Sequence, residues 1–135
     1  MIGYETVLTD IYSVFHDDEW VLEGIKTVPQ DYVQVNAGTE FIRVSVLPSG
    51  APSTRYSRAG MLIIDIFTPA GNGPKRAFAI ADRLNAYLES KTISTIAGCS
   101  LQLQRSVLSP TGEDRDNPAL SKALYSIPFQ YFGVN

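Results

Sequence analysis

The sequence predicts an α+β domain: one mostly antiparallel (mixed) β-sheet of four to five strands, with two main helices packed on one face. Three observations carry this. Apolar residues recur at helical spacing near the N-terminus and again after Pro74. They alternate at strand spacing in four other segments, and those segments fall in neighbouring pairs joined by polar stretches. With 135 residues, the chain has the size of a single domain spanning 1–135. Folding at that length removes roughly two-thirds of the unfolded surface from water, enough for a core without cross-links.

Tyr4, Leu8, Ile11 and Phe15 are spaced four, three and four, widened by Val7 and Tyr12, and predict an amphipathic helix over 4–16. The acidic run Asp17-Asp18-Glu19 is unfavourable at a helix C-terminus, so the helix is expected to stop near His16. Trp20 opens an irregular segment, and Pro29 with Tyr32-Val33-Gln34-Val35 suggests an extended arm. From Phe41 to Leu47, Ile42, Val44 and Val46 point one way and Arg43 and Ser45 the other. From Met61 to Phe67 both sides are apolar apart from Asp65, as in a central strand or one whose second face meets another subunit.

Pro69-Ala-Gly-Asn-Gly-Pro74 is a turn, and Pro74 suits a first helical position. Ala77, Ala81, Leu84 and Leu88, flanked by Phe78, Ile80 and Tyr87, then predict a helix ending near Ser90. Beyond Gly98, Leu101, Leu103 and Val107 alternate with Gln102, Gln104 and Ser106 as a strand with one wet face. Tyr125, Ile127, Phe129 and Tyr131 form the last strand, which Pro128 places at an edge or a bulge. Long polar hairpin loops are expected at about 48–60 and 109–118.

Composition bounds the function. The apolar fraction of 44% is that of a globular protein, and the net charge of −3 argues against a sequence-independent nucleic-acid binder. It is compatible with a protein past which DNA slides without sticking. One cysteine, Cys99, cannot form an internal disulfide and reads as a small buried residue. No apolar run approaches the ~18 residues needed to span a bilayer, and no signal-like N-terminus is visible, so the chain reads as cytoplasmic when made.

Candidate chemistry is thin. His16, the single histidine, lies beside acidic residues, but no spacing typical of metal ligands surrounds it. It reads as a surface group at a helix end. Gly71-Asn72-Gly73 before Pro74-Lys75-Arg76 resembles an anion-binding turn, but it fails both common glycine-loop patterns and Pro74 removes a donor. No Gly-x-Ser-x-Gly elbow occurs. The expectation is therefore no catalytic residue, no cofactor and no metal. The two loops, with Arg55, Tyr56 and Arg58 in one and Glu113, Asp114, Arg115 and Asp116 in the other, read as binding loops, since Arg and Tyr favour interfaces.

The order of these features resembles the phage tail-terminator-like family. The resemblance rests on the N-terminal helix, Gly38-Thr-Glu40, Ile42-Arg-Val-Ser-Val-Leu47 and the polar loop after it. It continues through Arg58-x-Gly60, Ile64-Asp-Ile-Phe67, Pro69-Ala-Gly-x-Gly73, Ala81-Asp-x-Leu84 and Ile127-Pro-Phe129, nearly the whole chain. It implies a virion subunit at the tail–neck junction, assembled in the host cytoplasm. Such a subunit forms a homo-oligomeric ring, a hexamer by the resemblance, that caps the tail tube and stops its polymerisation. The ring offers its other side to the head-side connector, while DNA passes through the lumen without specific binding. A closed ring needs two different complementary surfaces per subunit. The strands at Met61–Phe67 and Tyr125–Tyr131 are candidates for them. The expected contact residues are Arg43, Arg55, Tyr56, Arg58, Glu113, Asp114, Arg115, Asp116, Phe129 and Tyr131. Two alternatives remain: another neck protein (a head–tail joining or tail-completion subunit), or a small anion- or nucleotide-binding domain with its site at Gly71–Arg76.

Overall fold

A computed structural model of the chain describes residues 4–29, 40–48, 57–69, 75–94, 99–113 and 120–133. In chain order these form α1 (Tyr4–His16), α2 (Asp18–Leu22), β1 (Thr27–Pro29), β2 (Phe41–Pro48), β3 (Ser57–Pro69), α3 (Lys75–Leu88), β4 (Thr92–Ile93), β5 (Cys99–Leu103), β6 (Val107–Glu113) and β7 (Leu120–Gly133). The α+β class agrees with expectation. The sheet is larger than the four to five strands expected: seven strands in the order β1-β2-β3-β7-β5-β4, with β6 also on β7. β1 runs parallel to β2 and every other pairing is antiparallel. A third, short helix, α2, joins the two expected ones.

The acidic run does end α1, but it also starts α2. Asp17 leaves the helical region (φ −65°, ψ 140°), and its carboxylate accepts the Glu19 N–H at 3.0 Å as a cap. Negative side chains that oppose the C-terminus of one helix favour the N-terminus of the next. α2 drives Trp20 into the core, edge-on to Phe15 at 5.4 Å and to Tyr87 of α3 at 5.3 Å, with its indole N–H donating to Thr27 Oγ1. Gly24, at φ +73°, turns the chain out of the helix. The buried stripe of α1 is Val7, Ile11 and Phe15 with Asp10, while Leu8 is only half-buried.

β7 is the spine of the sheet. One side pairs with β3 without a register change; the other pairs first with β6 and then with β5. Pro128 therefore sits in an interior strand and not at an edge. Its carbonyl accepts the Gln104 N–H at 3.0 Å, so its nitrogen faces the same side, where residues 104–106 interrupt pairing between β5 and β6. The missing donor thus falls at a gap between two partner strands, and not at the edge or bulge expected. That interruption also shifts the alternation. Leu103 opposes Phe129 on the buried face, but Val107 opposes Ser126 on the other, so the expected common face of Leu101, Leu103 and Val107 breaks at Val107.

Both expected hairpin loops are shortened by strand pairing. Pro48 pairs with Gly60, and Ser57 with Phe132. Ser109 and Glu113 belong to β6, opposite Leu124 and Ser121. Residues 49–56 and 114–119 lie outside the described residues, as does the expected arm at Tyr32–Val35.

The main core lies between one sheet face and the helices α1 and α3. Ile42, Leu62, Ile64, Ile66, Ile127 and Tyr125 meet Ile11, Ile80 and Leu84, all of them buried. Burial of this kind stabilises by roughly 1.5–3 kcal/mol per large side chain. Two polar contacts fix the layers. The Tyr131 hydroxyl donates to Asp10 Oδ2 on α1 at 2.7 Å, with both residues fully buried. The Tyr125 hydroxyl donates to Asn85 Oδ1 on α3, also at 2.7 Å.

Candidate functional site

The opposite face of the sheet carries no helix among the described residues, and its composition follows from the register. One cross-strand row reads Leu47, Met61, Pro128; the next reads Ser45, Ile63, Ser126, Val107; the third reads Arg43, Asp65, Leu124, Ser109. Leu47 is 57% exposed and Val107 59% exposed, and Phe132, on the same face of β7, is also exposed. Met61, Ile63, Leu124 and Pro128 are half-buried. Of the six large exposed hydrophobics among the described residues, three stand on this face, two, Val21 and Leu22, on α2 and one, Phe78, on α3. The apolar second side of Met61–Phe67, legible as alternation in the sequence, is thus one strip of a wider apolar surface. Scattered exposed apolar residues are ordinary; a contiguous group on one face is what marks an interaction surface.

One end of this face is closed by a small separate cluster of Val28, Phe41, Phe67 and Leu120, with the rings of Phe41 and Phe67 stacked at 4.5 Å. Arg43 borders it. The guanidinium carbon lies 5.1 Å from the Phe67 ring centre and 5.9 Å from that of Phe41. Arg43 Nε is buried and has no hydrogen-bond partner among the described residues. The nearby Asp65 pairs with Lys122 at 3.8 Å. The guanidinium is thus held against two aromatic rings, and its positive charge lies at the margin of this face.

Of the expected contact residues, Arg43 alone is described with its side chain on this face. Phe129 and Tyr131 are a correction: both are buried in the main core, because their alternation with Pro128 and Gln130 points them at the helices. Arg58 lies in β3 opposite Tyr131, and Glu113 ends β6. Arg55, Tyr56, Asp114, Arg115 and Asp116 lie outside the described residues.

The polar constellations elsewhere are tied into the fold. Arg76, the cation of the suspected anion turn, is held by Glu40 through two hydrogen bonds of 2.7 and 3.0 Å, which raise its pKa further. The glycines of that turn are outside the described residues. His16 lines a shallow hollow with Tyr12, Phe15, Thr27 and Val28, none of them a carboxylate. No group of His, Cys, Asp and Glu among the described residues could hold a metal ion.

Between β5 and β6, Ser106 donates its N–H to Glu89 Oε2 at 3.0 Å. Its hydroxyl lies 2.6 Å from Asn85 Oδ1 and 3.0 Å from Glu89 Oε2. These bonds hold the Glu89 carboxyl below its ordinary range. Burial, helped by the Glu89 charge, pushes Tyr125 up to about 12. This network clips the end of α3 onto the break in the sheet edge. No described helix is long and apolar enough to cross a membrane.

No protein-family model matches the chain, and no curated protein matches it. Solved structures do share its fold. One chain, 13% identical, superposes at a TM-score of 0.71, covering 100% of this chain and 99% of the other. A chain from the virion of a native gene transfer agent particle, 14% identical, superposes at 0.65 over 93% of both.

Proposed function

We propose that the chain is a virion structural subunit, a tail terminator that forms a ring on the end of the tail tube. The ring halts tube growth and gives the head-side connector its seat. The observation that carries this reading is the fold shared with a chain of a gene transfer agent virion over nearly the full length of both. It agrees with the resemblance carried by Ile42–Leu47, Ile64–Phe67 and Ile127–Phe129. The exposed Leu47, Val107 and Phe132 on one sheet face support it from a different direction. In this reading the output of the protein is docking energy, and no reaction is catalysed. Six copies joined head to tail enclose the lumen, each using two unlike surfaces, and the acidic balance of the chain keeps DNA phosphates from adhering.

Sedimentation velocity with negative-stain imaging of the purified full chain tests this. The expected result is a ring with a hole of duplex width; a species that remains monomeric at every concentration refutes it. The shared fold also fits a neighbouring neck subunit, since the virion likeness carries no position along the particle. Deleting the gene separates the two: loss of a terminator gives overlong tails, and loss of a joining subunit gives normal tails detached from heads.

A further inference from the structure

The ring reading leaves open which two surfaces meet. The geometry points to α2 of one copy seated on the next copy's sheet face that no described helix covers, with Val21 and Leu22 against Leu47, Met61 and Ile63, and Asp18 or Glu19 against Arg43.

Four observations carry this. α2 is the most conspicuous apolar exposure on the helix side, with Leu22 86% and Val21 62% exposed. A short helix that buries Trp20 and leaves its next two apolar residues in solvent is poorly explained by intrachain packing alone. Second, α2 carries its own charge: Asp18 and Glu19 are exposed beside those apolar residues, with Asp17 engaged as the cap. The receiving face offers the opposite sign at Arg43, a half-buried guanidinium, and among the described residues the carboxylate opposite it in the register, Asp65, is engaged by Lys122.

Third, the dimensions agree. Asp18 to Leu22 spans about 6 Å along a helix, and Arg43 to Ser45, beside Ile63, spans about 7 Å along a strand. A turn of helix laid along β2 can therefore set its acidic end on Arg43 and its apolar end beside Ser45 and Ile63, from which a leucine side chain reaches toward Leu47 and Met61 in the next row. Fourth, α2 lies with the helices, packed through Trp20 on Phe15 and Tyr87, whereas the receiving surface is the far face of the sheet. Two unlike, complementary patches make a head-to-tail contact, which closes into a ring where the rotation between copies divides the circle; a two-fold dimer would use one patch twice.

Two variants of the full chain test the pairing, Leu22→Asp on α2 and Leu47→Asp on the sheet. Both positions are exposed, and near-ultraviolet circular dichroism with Trp20 emission confirms that each variant is folded. Each alone is expected to stay monomeric at concentrations where the wild type forms rings. Mixed in equal amounts they are expected to give a one-to-one heterodimer and no ring, because only the α2 of Leu47→Asp and the sheet of Leu22→Asp remain intact. Native mass spectrometry with one variant isotopically labelled reads the pairing. The double variant Asp18→Arg, Glu19→Arg is expected to raise the assembly midpoint concentration at least tenfold.

A Leu22→Asp protein that still forms wild-type rings overturns this docking and leaves the ring reading standing. A mixture that stays monomeric overturns it as well. A wild type that never assembles removes both readings.

Discussion

Replacing Gly60 with alanine probes the tightest approach in the sheet. A Cβ at Gly60 stands 2.6 Å from the Leu47 carbonyl oxygen, 2.9 Å from Phe129 Cζ and 3.1 Å from Phe129 Cε2. Favourable carbon–carbon contacts lie at about 3.5–4.0 Å, so the methyl overlaps the ring by about 0.6 Å. Neither neighbour yields easily. The oxygen is main chain within the β2–β3 pairing, and Phe129 is buried in the core. Overpacking of this kind costs about 1–3 kcal/mol. Against it stands the ~0.4–1 kcal/mol that a Gly→Ala change returns by restricting the unfolded chain. The net expectation is a loss of about 1–2 kcal/mol.

Urea denaturation followed by emission of Trp20, the one tryptophan, measures it as a lowered midpoint at unchanged slope. In a Phe129→Leu background the ring contacts vanish and the carbonyl contact remains, so the double variant should lose less than the sum of the singles. Gly24→Ala is the control. No atom lies within 4 Å of its Cβ, and its positive φ alone costs about 1–2 kcal/mol. It should therefore show no coupling to Phe129→Leu. A Gly60→Ala protein as stable as the wild type, or strict additivity with Phe129→Leu, refutes the argument.

Three further outcomes are expected. Tyr131→Phe leaves the buried Asp10 carboxylate short of a 2.7 Å donor and should cost about 1–3 kcal/mol in the same denaturation assay. Glu89 is held below its ordinary pKa by the Ser106 N–H first and the Ser106 hydroxyl second, so the unfolded chain takes up that proton at higher pH than the folded one. The stability it contributes is present above the ordinary carboxylate range and is lost as pH falls through the lowered value. Melting temperatures across acid pH should accordingly fall less steeply in Glu89→Gln. Tyr125 titrates at about 12 when folded because it is buried, against about 10 when unfolded. Its contribution is whole below about pH 10 and is lost as pH rises toward 12; ultraviolet phenolate titration should lose a tyrosine that ionises near pH 12 in Tyr125→Phe.

Much of the fold was legible because its long elements carry strong periods. The α3 stripe of Ala77, Ala81, Leu84 and Leu88 is buried as its spacing requires, and the alternation of Ile42, Val44, Leu62, Ile64 and Ile66 gives the core face. What escaped is local chemistry with two meanings. Asp17-Asp18-Glu19 reads equally as the stop of one helix and the start of another, and only Trp20's burial selects the second. Leu101, Leu103 and Val107 keep one parity in sequence, yet the break at 104–106 turns Val107 to the far side. Pro128 signals an irregularity without saying on which neighbour it falls. The surface was half legible: Arg43 and the two-faced β3 were visible, but Phe129 and Tyr131 looked like contact aromatics. An alternating aromatic strand carries no mark of which layer covers it.

The arrangement also explains why assembly through faces suits this fold better than assembly through edges. Sheets extend by pairing edge strands, and among the described residues each edge is blunted. β1 has three residues and ends in Pro29, β4 has two, and β6 contains Pro110 next to a register shift before Gly112. An added strand would meet a missing donor or a broken ladder within a few residues, and such growth has no built-in stopping number. The faces are treated differently. One is locked under helices by Asp10–Tyr131 and Asn85–Tyr125, and the other keeps Leu47, Ile63 and Val107 partly in water beside Arg43. A contact between that face and a helix on the far side of a neighbour fixes a rotation between copies, and a fixed rotation that divides the circle closes. Association through such a contact stops once the circle is complete.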